Sequence, residues 1–460
     1  MGSNPNWTSD ELKRRAVQRR AVEAVIWGMP AVNTDLMYQA LVQLKGGFNQ
    51  IVYWSGLPSW KNQTLTPNPD SIYLMPFHNT KAGPMVLEIP PADTGSITGS
   101  IMDCWQTPLE DVGPAGVDEG KGGKYLILPP NYREKVPDGY IPLPSLNFQG
   151  YTLARSILKS GSKADVEAAV AYGRRIKLYS LSQAANPPAT KFVDALNSLY
   201  DATIPYDVRF FKSLDRMVQQ EPWLPRDKAM IDQVKSLGIE KGKTFAPDAV
   251  TEELLNAGAA EAQALLESQY STAFASPFYP DAKWALPAVP GLLEGMESMF
   301  VDPNHYPVDG RGLTYSFAFF CAKHMGAGQY YLMTIKDKAG RDFDGGSNYR
   351  LTVPANAPVR QYWSATVYDR ATHALIRNQP WSSRSSQTDG LKKNADGSVT
   401  LYFGPKVPGA AGDAESNWVP TSVGGLFEVL FRLYGPDKSF FDKTTWKLPD
   451  IEKVTIGAAR

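Results

Sequence analysis

The sequence predicts a mainly β protein with helices: two β domains joined by a helical connector, with N-terminal helices in front. Three observations predict it. The chain has 460 residues, more than one ordinary core holds, so two or three domains are expected. Its 11 Trp and 22 Tyr, set among 38 Gly and 36 Pro, suit the short strands and tight turns of sandwiches and barrels. The periodicity also switches along the chain, helical over 1–49, extended over 50–160, helical over 161–300 and extended again over 301–460.

Thr8 with Glu11 forms a capping-box pattern that opens the first helix. Arg14, Arg15, Arg19 and Arg20 give that helix a basic, solvated side. Gly28-Met29-Pro30 is expected to break it, with a second helix over 33–44. Short strands follow at 72–77, 85–89, 96–102, 125–128, 140–142 and 151–157, punctuated by glycine and proline. Ser162 with Asp165 caps a helix carrying Val166, Val170 and Ile176. Val208, Phe211, Leu214 and Val218 mark another, and 248–271 is rich in Ala, Leu and Glu. The segment 313–325 fits either a helix face or a buried strand.

The last third predicts strands at 331–335, 349–353, 362–368, 374–377, 399–403 and 426–434, with Asp396-Gly397 as a hairpin turn. In 426–434, Phe427, Val429, Phe431 and Leu433 alternate with Glu428, Leu430, Arg432 and Tyr434, the pattern of a strand buried mainly on one face.

Composition excludes several function classes. Lys+Arg 47 against Asp+Glu 47 leaves no net field for nucleic acid or an anionic membrane. No apolar run approaches the roughly 18 residues of a membrane span. Asn4-Pro5-Asn6-Trp7 leads into a charged helix without a signal-peptide pattern. A periplasmic or secreted protein with its leader removed and a cytoplasmic one both stay open. Walker A, G-x-S-x-G, H-E-x-x-H and Rossmann glycine patterns are absent, which lowers nucleotide, serine-hydrolase and NAD chemistry. Cys104 and Cys321 read as buried apolar residues or one bridge, and the four histidines lack metal-helix spacing.

The candidate site centres on Thr66-Pro67-Asn68-Pro69-Asp70. Two prolines fix φ and push their predecessors into extended geometry, so a rigid segment presents Asn68 and Asp70 beside Tyr73. Asp103 ends a strand next to Trp105, a place for acid–base work or for bonding to nearby backbone N–H groups. Asp70 and Asp103 could pair as the two carboxylates that glycosidase-like hydrolysis needs. His305 and Arg311 form a second polar cluster. There Arg311 serves as a bidentate clamp for an anionic group or as a structural ion pair. Asp337, Asp342 and Asp344 suit a hairpin turn or, with less support from their spacing, a calcium or magnesium ion; no other cofactor is implied. Trp363, Trp381 and Trp418 are either stacking platforms or core.

Thr66-Pro67-Asn68-Pro69-Asp70-Ser71-Ile72-Tyr73, Val86-Leu87-Glu88-Ile89-Pro90 and Asp103-Cys104-Trp105 resemble the bacterial domain of unknown function 1254. The runs Tyr362–Asp369, Asn394–Ser398, Asn417–Pro420 and Phe431–Pro436 resemble its usual C-terminal companion, domain of unknown function 1214. The resemblance implies two β-barrel or jelly-roll-like domains joined by helices, often behind an export signal. Pro69 and Asn79 depart from the asparagine and aspartate usual there. No general activity comes with the family. The residues lead to a hydrolase of a small polar or carbohydrate-like substrate, with Asp70 or Asp103 as base, Asn68 and Tyr73 orienting substrate, Trp105 as a wall and Arg311 holding an anionic group. The alternatives are a non-catalytic ligand-binding or lectin-like protein using Trp363, Trp381 and Trp418, or an interaction protein linked to virulence. A homodimer is left open.

Overall fold

The computed structural model describes residues 7–274, 276–287, 290–318, 322–324, 328–407 and 415–455. Asn4–Asn6, Phe319, Phe320, Cys321 and Met325 lie outside them. The fold is mixed, 28% helical and 25% strand, with two sheet-rich regions whose sheets stay open and do not close into a barrel among the described residues. No helix among the described residues is long and apolar enough to cross a membrane.

The capping box forms as the sequence predicts: Thr8 Oγ1 accepts from Glu11 N at 3.2 Å, and Thr8 N donates to the Glu11 carboxylate at 2.7 Å. The helix it opens, Ser9–Gln43, corrects the expected break, because it runs straight through Pro30. Proline removes the N–H that the Ile26 carbonyl would bind. Burial outweighs that loss: every residue from Val25 to Asp35 is buried. The helix packs against Val208–Gln220, Ala249–Ala273 and Val308–Phe317. Gly28 makes room for Leu214, and Gly312 lets its own helix approach the Ile26 carbonyl, which a Cβ there would meet at 2.8 Å. The Pro30 carbonyl accepts from Gln106 Nε2 at 3.0 Å. N-terminal helix and connecting helices therefore form one layer with one core, joined by Cys104 and Trp105 from the first β region and by Met333, Tyr368 and Leu430 from the second.

In the first region a six-stranded sheet runs Phe192–Asp194, Gln50–Tyr53, Ile72–Asn79, Gln149–Ser156, Ile97–Asp103, Pro108–Val112. It packs on a four-stranded sheet of Lys177–Ser180, Met85–Ile89, Gly123–Leu128 and Ile141–Pro144, with Ile72, Leu74, Leu87, Ile101 and Ile127 between them. Lys177–Ser180 and Phe192–Asp194 come from the stretch expected to be helical. Gln50–Tyr53 and Pro108–Val112 also escaped the sequence reading. The latter is an edge strand, where its proline loses no ladder bond.

In the second region Gln329–Thr334, Leu426–Tyr434, Trp363–Asp369 and Ser383–Ser385 form one sheet, with Phe343–Asp344 also paired to Leu426–Tyr434. Trp418–Pro420, Val399–Gly404, Asn348–Val353 and Glu452–Val454 form the other. Three expectations need correction. Leu426–Tyr434 is buried on both faces from Phe427 onward: Phe427, Val429, Phe431 and Leu433 fill the core between the sheets, while Glu428, Leu430, Arg432 and Tyr434 face the rest of the molecule. Residues 374–377 make only an isolated bridge, Tyr368 to Leu375. Asp396-Gly397 is a turn, with Gly397 at φ +82, but the strand it opens pairs with the distant Asn348–Val353 and not across a hairpin. Of the ambiguous segment 313–325, the part to Phe317 is helix.

Candidate functional site

The two-proline segment meets the second sheet through Tyr362, Tyr368, Arg432 and Tyr434. Asn68, fully buried, donates from Nδ2 to the hydroxyls of Tyr362 at 3.0 Å and Tyr434 at 2.6 Å. Its Oδ1 accepts from Asp70 N at 2.9 Å, and its N–H donates to Tyr73 OH at 2.9 Å. The Pro67 carbonyl accepts from Tyr368 OH at 2.7 Å, and the Thr66 carbonyl from Arg432 at 2.7 Å. Thr66 sits at φ +37, an unfavourable place for a β-branched residue, held there by these bonds and by its N–H to the His373 carbonyl at 2.6 Å. Asp70 Oδ2 accepts from Ser383 Oγ at 2.7 Å. Burial pushes the Asp70 carboxyl up, partly offset by the Ser383 bond and the fields of Arg432 and Arg384.

The segment divides the seam between the two β regions. Thr66 and Pro67 face a narrow cavity, shared with Tyr73, Arg155, Tyr331 and Arg432. Pro69 and Asp70 face a cleft of about 320 Å³ that opens to solvent, lined also by Pro58, Trp381, Ser383 and Arg384. The Arg384 guanidinium lies over the Trp381 ring, 4.1 Å from its centroid. Burial pulls its pKa down to about 10, which leaves it charged at neutral pH.

Asp70 and Asp103 do not pair. Ile72, two residues after Asp70, lies opposite Ser156, whereas Asp103 lies opposite Gly150 at the other end of the same strand. At about 3.3 Å per residue the two ends are roughly 20 Å apart. Asp103 instead builds its own turn: Oδ1 accepts from Trp105 N at 2.9 Å and Thr107 N at 2.8 Å. Arg311 stands with it, donating to the Trp105 carbonyl and, at 2.9 Å, to Tyr306 OH, over the Phe300 ring at 4.0 Å. Trp105 packs on Trp27 at 4.8 Å. His305 bonds the Gly291 carbonyl at 3.0 Å in the same helical layer. Asp103, Trp105, His305 and Arg311 thus leave the candidate site, which keeps Asn68, Asp70 and Tyr73.

Trp363 is no platform: it stacks on Phe431 at 5.6 Å inside the second core. Trp418 donates to the Gly404 carbonyl at 2.9 Å and meets Trp381 edge-on at 5.7 Å, so it supports the cleft wall from behind. Asp337 caps its own turn and pairs with Arg341 at 2.9 Å, while Asp344 accepts from Gly346 N and Ser347 Oγ. Cys104 is a free, buried thiol.

Sequence reading missed Arg155, Tyr331, Ser383 and Arg384, and the buried hydrogen bonds that Arg432 and Tyr434 make to the two-proline segment. The available signal was the second set of residues in Leu426–Tyr434: a glutamate, an arginine and a tyrosine alternating with apolar residues inside a buried strand need partners somewhere.

Residues 48–180 match the family model described as protein of unknown function (DUF1254), and residues 328–438 match that described as protein of unknown function (DUF1214). The chain belongs to the tandem DUF1254–DUF1214 family. Asn68, Asp70, Tyr73 and Arg155 lie in its DUF1254 part; Tyr331, Ser383, Arg384, Arg432 and Tyr434 lie in its DUF1214 part. The seam is where the two parts meet. The VPA0106 protein from Vibrio parahaemolyticus has a similar solved structure, 18% identical, with TM-score 0.58 over 95% of this chain and 100% of that one, a likeness of fold alone. An uncharacterized protein from Burkholderia cenocepacia is 11% identical, with TM-score 0.41 over 96% of this chain and 95% of that one. No curated protein matches the chain.

Proposed function

We propose that this protein binds a small polar, carbohydrate-like molecule in the open cleft of the seam. One observation carries the reading: a carboxylate, a hydroxyl, a guanidinium and an indole from two separate β regions converge on one opening. Trp381 supplies an apolar wall, and Asp70, Ser383 and Arg384 supply fixed polar groups, the division of labour common in small-molecule sites. The test is a metabolite screen by calorimetry with Trp381→Ala as the control. A ligand should lose about tenfold or more in affinity when the stacking wall is removed. Undiminished affinity in Trp381→Ala and Ser383→Ala would place binding elsewhere.

Hydrolysis is a second reading, favoured by the bond from Ser383 Oγ to an Asp70 carboxyl whose pKa burial raises. It runs without the Asp70–Asp103 pair. Asp70→Asn retaining ligand affinity while losing turnover supports it; equal turnover removes it.

A further inference from the structure

The closed side of the seam gathers hydrogen-bond donors that have nothing to donate to. Arg155 is 9% exposed and Arg432 2%, and both line the narrow cavity. Arg155 makes one side-chain hydrogen bond among the described residues, from Nε to Tyr73 OH at 3.3 Å, so its two terminal nitrogens have no protein acceptor. Arg432 spends its terminal nitrogens on Thr366 Oγ1 at 3.0 Å, the Thr66 carbonyl at 2.7 Å and Tyr368 OH at 2.6 Å, but its Nε is buried and unpartnered. The Tyr331 hydroxyl, in the same wall, is also buried without a partner.

Among the described residues no carboxylate is bonded to either guanidinium. Neither arginine forms an ion pair among the described residues, and the cavity wall holds no aspartate or glutamate. Asp70 reaches Arg432 only as a field from beyond Asn68, with its own carboxylate bonded to Ser383. Burial raises Tyr331 and Tyr434, so these two hydroxyls stay protonated and supply no negative charge. Two buried guanidiniums without an anion are costly, and a planar guanidinium with free N–H groups fits carboxylate and phosphate oxygens. Apolar side chains such as Met75, Leu153, Met333 and Leu430 share the rest of the wall with Asn62 and Thr64, and there is room for a few water-sized groups.

We propose that the cavity is a binding site for a small oxyanion, a carboxylate or phosphate group, held between Arg155 and Arg432 with Tyr331 as a third donor. The site is separate from the open cleft, and the proposal does not rest on the cleft's being a binding site.

The test uses the full chain, dialysed into chloride buffer, with phosphate, sulfate, acetate and butyrate added at matched ionic strength. At least one should raise the thermal midpoint by about 2–5 °C at saturation over chloride. Phosphate acting alone identifies a phosphoryl group; acetate or butyrate acting identifies a carboxylate. Arg155→Gln should abolish the shift. Tyr331→Phe removes a hydroxyl that has no partner, so the fold should keep its stability without ligand while affinity falls about tenfold. No shift with any of the four anions, or an equal shift in wild type, Arg155→Gln and Tyr331→Phe, overturns the proposal.

Discussion

Two clusters of buried charge lie at opposite ends of the Gln149–Ser156 strand, and they are built on different terms. At the Gly150 end, Asp103 and Asp227 stand with Arg226 and Arg311. Arg226 reaches Asp227 at 3.7 Å, Trp27 donates to Asp227 at 2.8 Å, and both arginines draw on the field of Asp103. Carboxylates and guanidiniums face each other there, with the buried Glu221 carboxylate beside them on Phe148 N and Gln149 N. At the Ser156 end, Arg155 and Arg432 meet tyrosine hydroxyls and carbonyl oxygens but no carboxylate in ion-pair range. The first cluster meets its charge with opposite charge inside the chain, although Arg226 Nε and Nη2 and Arg311 Nε make no hydrogen bond, and it serves the fold. An unbalanced one keeps capacity for something outside it. Burial, raised pKa and neighbouring aromatics mark both ends alike, so only the charge balance tells them apart.

The largest effect expected from this contrast is at the balanced end. Asp103→Ala strips two backbone N–H groups of their acceptor and leaves Asp227 to face Arg226 and Arg311 without it, costing about 3–5 kcal/mol in denaturant unfolding. Asp103→Asn, which keeps an acceptor oxygen, should lose less. An Asp103→Ala protein as stable as wild type would break the assignment of this cluster to the fold.

Acid sensitivity should belong to the same end. His78 lies across from Gly150, buried with neither ring nitrogen partnered, and burial drives its pKa down from 6.5 to about 3. The native state holds it neutral, while the unfolded chain takes up a proton below about pH 6.5. This group's contribution is therefore present above pH 6.5 and is lost as pH falls toward 3. His78→Leu should flatten that slope and recover about 2–3 kcal/mol at pH 4. An unchanged acid limb in urea titrations would assign it to other groups.

Asn68→Ala is the smallest of the three, about 2 kcal/mol, because it removes the amide that Tyr362 and Tyr434 share and leaves the Asp70 N–H unanswered. It should also weaken ligand capture at the seam, whereas Asp103→Asn should not. That difference, read by calorimetry on folded variants, sharpens the contrast between the two ends.

Local pattern made much of the architecture legible. The Thr8 and Ser162 caps, and strands such as Met85–Ile89 and Asn348–Val353, follow from residues within a few positions of each other. Helix Ser9–Gln43 passes Pro30 because distant helices bury it, which no window around Pro30 records. The site was half legible. Asn68 and Asp70 stood out through their flanking prolines, but Ser383 lies 313 residues from Asp70 and carries no motif. Trp363 and Trp381 look equivalent as letters. Trp363 shares a strand face with Ala365 and Val367 and goes to the core, while Trp381 lies outside that strand and reaches the cleft.

Pro67 and Pro69 belong to one stiff segment, with Pro67 in the wall of the cavity and Pro69 in the wall of the cleft. A partition of that kind has two sides and one position. Moving it to enlarge either compartment draws space from the other, so the seam has a single degree of freedom where its two openings would suggest two.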